Sequence, residues 1–142
     1  MNFDFSDDQK SLKDEARRFL ADKAGSKVTR RVLDNADVSY DDGLWRAVAE
    51  MGWLGAAIPE EHGGLGLGRL ELCVLAEELG RAVAPIPFSS TVYFFAEALM
   101  LAGSDAQHAV LEPIDATQLF DDPGEHQRVA PTWSIWVWSI WM

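Results

Sequence analysis

Apolar positions recur with helical spacing over most of the first hundred residues. Leu12, Ala16, Phe19 and Leu20 fall at i, i+4, i+7 and i+8, while Lys10, Lys13, Asp14 and Arg17 take the other faces. This pattern predicts a helix from about Asp7 to Ala24. Ser6 stands three residues before Gln9, the capping-box spacing, and Asp7 and Asp8 bring negative charge to the positive end of the helix dipole. Gly25 interrupts, and the stretch from Lys27 to Ser39 is weakly periodic: a second helix or a loop, with Val28, Val32 and Leu33 as its apolar anchors. A clearer helix runs from about Asp42 to Met51, with Leu44, Val48 and Met51 on one side and Gly52 at the left-handed closing position.

The next strong helix spans about Leu70 to Ala82, with Leu72, Leu75, Ala76 and Leu79 facing inward and Pro85 and Pro87 beyond its end. Another runs from about Ser90 to Ala102; it is apolar on most sides, which predicts the deepest burial. Ser104 and Asp105 read as the cap of a further helix through Leu111, ended by Pro113. No strand pattern of comparable quality and no repeat accompanies these segments. The fold class is therefore all-α: an antiparallel bundle of five or six helices over residues 1–112, since short links favour antiparallel neighbours. Residues 113–142 break the pattern. Their last ten, WSIWVWSIWM, carry four of the six tryptophans of the chain. They could form a short strand, a membrane-interface anchor or a partner contact. The abrupt change after Pro113 favours an atypical tail, disordered or loosely packed.

Charge narrows the partners. Lys and Arg number 12 against 23 Asp and Glu, a formal net charge of -11, and no basic face offers itself to phosphates, so nucleic acid is an unexpected partner. Cys73 is the single cysteine; a reducing compartment suits it, and its apolar neighbours predict a core position. The start MNFDFSDDQK is acidic where a signal peptide is basic, and no uninterrupted apolar run is long enough to cross a membrane. A cytoplasmic location is expected.

Candidate chemistry is sparse. The segment GAAIPEEHGGLGLG carries Gly55, Gly63, Gly64, Gly66 and Gly68. It fails as a dinucleotide fingerprint, because Arg69 stands where a third glycine is required and no strand precedes it, so a structural turn is the reading. Glu60, Glu61 and His62 lack a second His or Cys at metal-ligand spacing, and His108 and His126 have no partner that the sequence can place. Glu77 and Glu78 read as surface charge in mid-helix. Phe88, Tyr93, Phe94 and Phe95 are an aromatic cluster that either fills the core or lines a ligand cavity. No catalytic constellation emerges.

The run MGWLGAAIPEEHGGLGLGRLELCVLAEELGRAVAP closely resembles the N-terminal helical domain of acyl-CoA dehydrogenases. FDFSDDQKSLKDEARRFLAD is similar to that family's first helix, and AEALMLAGSDAQ to a later helix with its G-S-x-x-Q turn; the resemblance covers residues 3–111. It implies FAD-dependent α,β-desaturation of acyl-CoA thioesters, a carboxylate base taking the α proton, and electrons passed to an electron-transfer flavoprotein. The family's flavin contacts and base lie in a middle β-domain and a C-terminal bundle that residues 1–142 do not match. No catalytic or flavin-binding residue is therefore expected here. By resemblance, Ile86, Ser90 and Phe94 border the acyl-tail pocket as substrate-binding residues. The expected function is the N-terminal portion of such a flavoprotein, truncated and inactive alone. The alternative is a non-catalytic binding or assembly subunit that docks on a full-length acyl-CoA dehydrogenase.

Overall fold

The computed structural model describes residues 4–108. Helix α1 (Asp7–Lys23) is followed by α2 (Ser26–Leu33), α3 (Asp42–Glu50) and α4 (Arg69–Arg81). A π-helical segment (Ser89–Ala96) then tightens directly into α5 (Glu97–Ala102), and α6 (Asp105–His108) follows. Short 3-10 turns occupy Trp53–Gly55 and Glu60–His62. No strand occurs among the described residues. None of their helices is long and apolar enough to cross a membrane. The predicted continuation of the last helix to Leu111, His126 and the tail 113–142 lie outside the described residues.

The capping box predicted at Ser6 forms in both directions. Gln9 N–H donates to the Ser6 hydroxyl at 3.2 Å, and Ser6 N–H donates to the Gln9 side-chain oxygen at 3.0 Å. The ambiguous stretch after Gly25 divides: half becomes α2, which buries none of its residues and leaves Leu33 77% exposed, and the rest is turn. Asp41 starts α3. Its buried carboxylate accepts from Leu44 N–H at 2.8 Å and from the Arg31 guanidinium, while its own N–H donates to Pro85 carbonyl at 2.9 Å. One residue thus caps α3, anchors the α2 side and ties down the segment after α4.

Helix α1 lies along α4, and the contacts fix their direction. Gln9 donates to Glu71 at 2.8 Å, Lys13 pairs with Glu77 at 2.8 Å, and Arg17 pairs with Glu78 at 2.8 Å. Partners advance together along both helices, so this pair, far apart in sequence, runs parallel; the chain between them makes the return. Between these helices and α3 sits the core: Ala16 and Leu20 of α1, Leu44 and Val48 of α3, Trp53, Leu54 and Ile58 beyond it, Leu72, Leu75 and Leu79 of α4, and Phe88, Val92 and Ala96. Burying each large apolar side chain contributes about 1.5–3 kcal/mol relative to exposure.

Two expectations for α4 are corrected. Glu77 does lie at the surface, but Glu78 is 1% exposed, held by Arg17 and, at 3.3 Å, by Arg81. A carboxylate can sit there only because two cations satisfy it, and one of them comes from a different helix. Cys73 is exposed instead of buried. It lies about 100° around the helix from Leu72, away from the face formed by Leu75, Glu78 and Leu79.

Candidate functional site: a cleft at the end of the fourth helix

The GAAIPEEHGGLGLG segment folds on its own backbone. Leu65 N–H donates to Gly55 carbonyl at 2.9 Å, Gly66 to Ile58 at 2.8 Å, Leu67 to Ala56 at 2.7 Å and Gly64 to Pro59 at 3.1 Å. Gly63 adopts φ 78° to close the short turn before it. Gly64 lies flat against Ile58, where an added Cβ would stand 2.1 Å from the Ile58 carbonyl oxygen. The structural-turn reading of the sequence therefore holds. With these amides engaged, residues 63–67 present no free amide cradle to an anion.

The cleft lies where α4 ends. Its volume is about 270 Å³, and its lining includes Ala76, Leu79 and Gly80 of α4 and Ile86, Phe88 and Tyr93 after it. Val83, Ala84 and Ser89 complete the wall. Phe88 is buried and meets Tyr93 edge-on, with ring centroids 5.5 Å apart. The Tyr93 hydroxyl donates to Leu72 carbonyl at 3.2 Å, and burial, with a smaller contribution from Cys73, pushes it up to about 12. Tyr93 is thus neutral at physiological pH and tied to α4, so its ring is a fixed wall. Val83 has φ 49°, a left-handed conformation that costs a β-branched residue roughly 1–3 kcal/mol. Hydrogen bonds hold it there: Ala84 N–H donates to Leu79 carbonyl at 3.1 Å, and Thr29 of α2 donates to Val83 carbonyl at 3.1 Å.

Of the three residues expected to border a pocket, Ile86 lines this cleft. Ser90 is exposed and its hydroxyl donates to Pro87 carbonyl at 3.0 Å; Phe94 is 73% exposed. The wall of this cleft includes Ser89 and Tyr93. The expected α-helix from Ser90 starts at Ser89 as a wider π turn, which changes the register of every side chain after it. The aromatic cluster splits accordingly: Phe88 and Tyr93 face the cleft and Phe94 faces solvent. The sequence reading missed Val83, Ala84 and Ser89. The signal available for them was the pair Pro85 and Pro87, which marks a turn but not its conformation.

Other candidates stay scattered. His62 and His108 do meet, with ring centroids 5.5 Å apart, and the His108 ring nitrogen Nε2 is 2.9 Å from Leu99 carbonyl. No cluster of three or more His, Cys, Asp or Glu able to hold a metal ion forms among the described residues.

Comparison with known proteins accounts for this arrangement. Residues 6–114 match the acyl-CoA dehydrogenase N-terminal domain. The acyl-CoA dehydrogenase IpdE2 of Mycobacterium tuberculosis is 32% identical over 102 residues, covering 71% of this chain and 32% of that protein. Among solved structures, the Tcur3481-Tcur3483 steroid ACAD superposes with a TM-score of 0.69 at 39% identity, over 77% of this chain and 30% of that one. The ChsE4-ChsE5 complex of M. tuberculosis gives 0.65 at 26% identity, over 83% and 30%. The chain thus spans about a third of the length of these relatives. It belongs to the acyl-CoA dehydrogenase family, and its helices form the N-terminal domain of that family's fold.

Proposed function

We propose that this domain supplies one wall of the acyl pocket of an acyl-CoA dehydrogenase, with flavin, catalytic base and the opposite wall provided by polypeptide outside residues 4–108. The observation that carries the reading is the cleft itself. No charged side chain lines it; apart from the Ser89 hydroxyl its side chains are hydrocarbon and aromatic, and the Tyr93 hydroxyl is already engaged by Leu72 carbonyl. With no charged side chain in it, such a surface suits an uncharged acyl chain better than the phosphates of coenzyme A. At about 270 Å³ it is small for a complete binding site, which typically encloses about 300–1,000 Å³. Closure by a second element is therefore part of the proposal. Acyl-CoA is the substrate class, FAD the redox group and an electron-transfer flavoprotein the electron acceptor, all by family membership. The compartment proposed is the cytoplasm, on the single cysteine of the chain.

The test is a graft of residues 6–114 in place of the matching segment of a full-length relative, with and without Ile86→Trp. Filling the cleft is expected to raise KM for long or bulky acyl-CoA by about tenfold or more, while kcat for a short acyl-CoA stays unchanged. An equal effect on both substrates would contradict the assignment.

A second reading, assembly with a separate full-length acyl-CoA dehydrogenase subunit, is favoured by one observation. Two of the solved relatives carry paired names, one of them explicitly a complex. Stoichiometric co-purification with a yellow subunit supports it, and a strictly solitary chain in the native cell removes it.

A further inference from the structure

Helix α4 closes with a side chain that its closing turn does not suit. Ala82 caps the helix, and the next two amides turn back onto its last turn. Val83 N–H donates to Gly80 carbonyl and Ala84 N–H to Leu79 carbonyl, each at 3.1 Å. That pair of bonds is the Schellman closure, in which the residue after the cap is left-handed and is usually glycine. Here it is valine at φ 49°, alone among the described non-glycine residues in having a positive φ. A β-branched side chain resists that conformation. Its packing within the domain returns little in exchange, because Val83 is 63% exposed. The surrounding chain nonetheless holds it in place. The Thr29 hydroxyl of α2 donates to Val83 carbonyl at 3.1 Å, and Asp41 N–H donates to Pro85 carbonyl at 2.9 Å.

What the valine does reach is the cleft, of which it is a lining residue. Burial grades across that lining. Phe88 and Leu79, 3% and 7% exposed, form its floor, while Val83 stands at its mouth with exposed Gly80 and Ser89. Glycine at this position would close α4 without strain but would leave that part of the wall without a side chain. We propose that Val83 is a specificity-determining residue whose isopropyl group packs on the acyl chain of substrates long enough to extend from the floor to the mouth. The inference rests on the acyl-pocket reading and names which acyl chains that pocket favours. A short acyl group held at Leu79 and Phe88 ends before the mouth and gains nothing from the valine. A longer one covers hydrocarbon that otherwise faces water, and that burial adds affinity. Strain held at a ligand-facing position by bonds from neighbouring segments is the pattern of a residue used for contact rather than for folding.

The test is NMR titration of the isotope-labelled 142-residue chain with butanoyl-CoA and, separately, with decanoyl-CoA, alongside thermal unfolding. Val83→Gly and Val83→Asn both suit the left-handed position, and neither presents an apolar branch. Both variants should have a higher Tm than the wild type. Their Kd for decanoyl-CoA, read from the shifts of Ile86 and Phe88, should rise about tenfold, while Kd for butanoyl-CoA stays within about twofold. An equal rise for both ligands, or an unchanged ratio between them, overturns the proposal and leaves the acyl-pocket reading standing. A fall in Tm in both variants overturns it too, because the valine would then serve the packing of the fold. A wild-type chain whose Ile86 and Phe88 respond to neither ligand overturns the acyl-pocket reading and this inference with it.

Discussion

Gly64→Ala is expected to destabilise the domain by about 3 kcal/mol or more, the upper part of the range for overpacking. The new Cβ would stand 2.1 Å from the carbonyl oxygen of Ile58 and 2.5 Å from both its carbonyl carbon and its Cβ. Side-chain rotation cannot relieve that contact, because two of the three atoms belong to the backbone. The loop must move, and with it the bonds from Leu65 to Gly55, Gly66 to Ile58 and Leu67 to Ala56. Ile58, 2% exposed, would be displaced from the core at the same time. Thermal unfolding followed by circular dichroism should show a fall in Tm of more than about 10 °C for a domain of this size. Gly80→Ala is the control. A Cβ at Gly80 meets nothing within 4 Å, and the residue sits inside α4, so this change should stabilise by about 0.5–1 kcal/mol. Equal effects at the two positions would show that close approach is not why Gly64 is glycine.

Removing the buried carboxylate of Glu78 is the second large perturbation. Glu78→Ala discards charge-assisted bonds to Arg17 and Arg81 across the parallel α1–α4 pair, with an expected loss of about 1.5–3 kcal/mol. The effect has a pH signature. The Arg17 guanidinium bonded to Glu78 holds its carboxyl below the usual glutamate range, overcoming the opposing effect of burial. A group whose folded pKa is lowered adds stability that is fully present above its unfolded value, about 4.3. That stability is lost as pH falls through the lower folded value. Denaturant midpoints of the wild-type chain should therefore hold steady above about pH 5 and decline below it. Glu78→Gln keeps the volume and removes the charge, and its midpoint should change less over the same window. A variant whose acid limb is as steep as that of the wild type would place the titrating groups elsewhere.

These two positions also show what the sequence could and could not disclose. Gly64 sits in a run whose glycines exclude a dinucleotide site and require a tight turn, so its structural role was legible from composition and spacing. Glu78 was not. A glutamate pair in mid-helix normally faces water, and its burial depends on Arg17, sixty-one residues earlier on another helix. The helices themselves followed from periodic apolar positions and, at Ser6, from a cap, because those signals are local. The direction of α1 along α4 was set by long-range pairs that periodicity does not encode. At the cleft, Ile86, expected from family resemblance, lies in the lining together with Ser89 and Tyr93, while Ser90 and Phe94 are exposed. A π segment widens the helix without any mark in the composition, so α-helical spacing alone does not tell which of its side chains face inward. Cys73 was misjudged for a related reason: apolar neighbours in sequence are not neighbours on a helix.

The acyl-facing role of the cleft is tested most directly by NMR titration of the isotope-labelled chain with an acyl-CoA and, separately, with free coenzyme A. The account predicts shifts at Ala76, Ile86, Phe88 and Tyr93 with the acyl-CoA and none at those residues with coenzyme A alone. Shifts confined to the 63–68 glycine loop, or the same cleft response to both compounds, would contradict it.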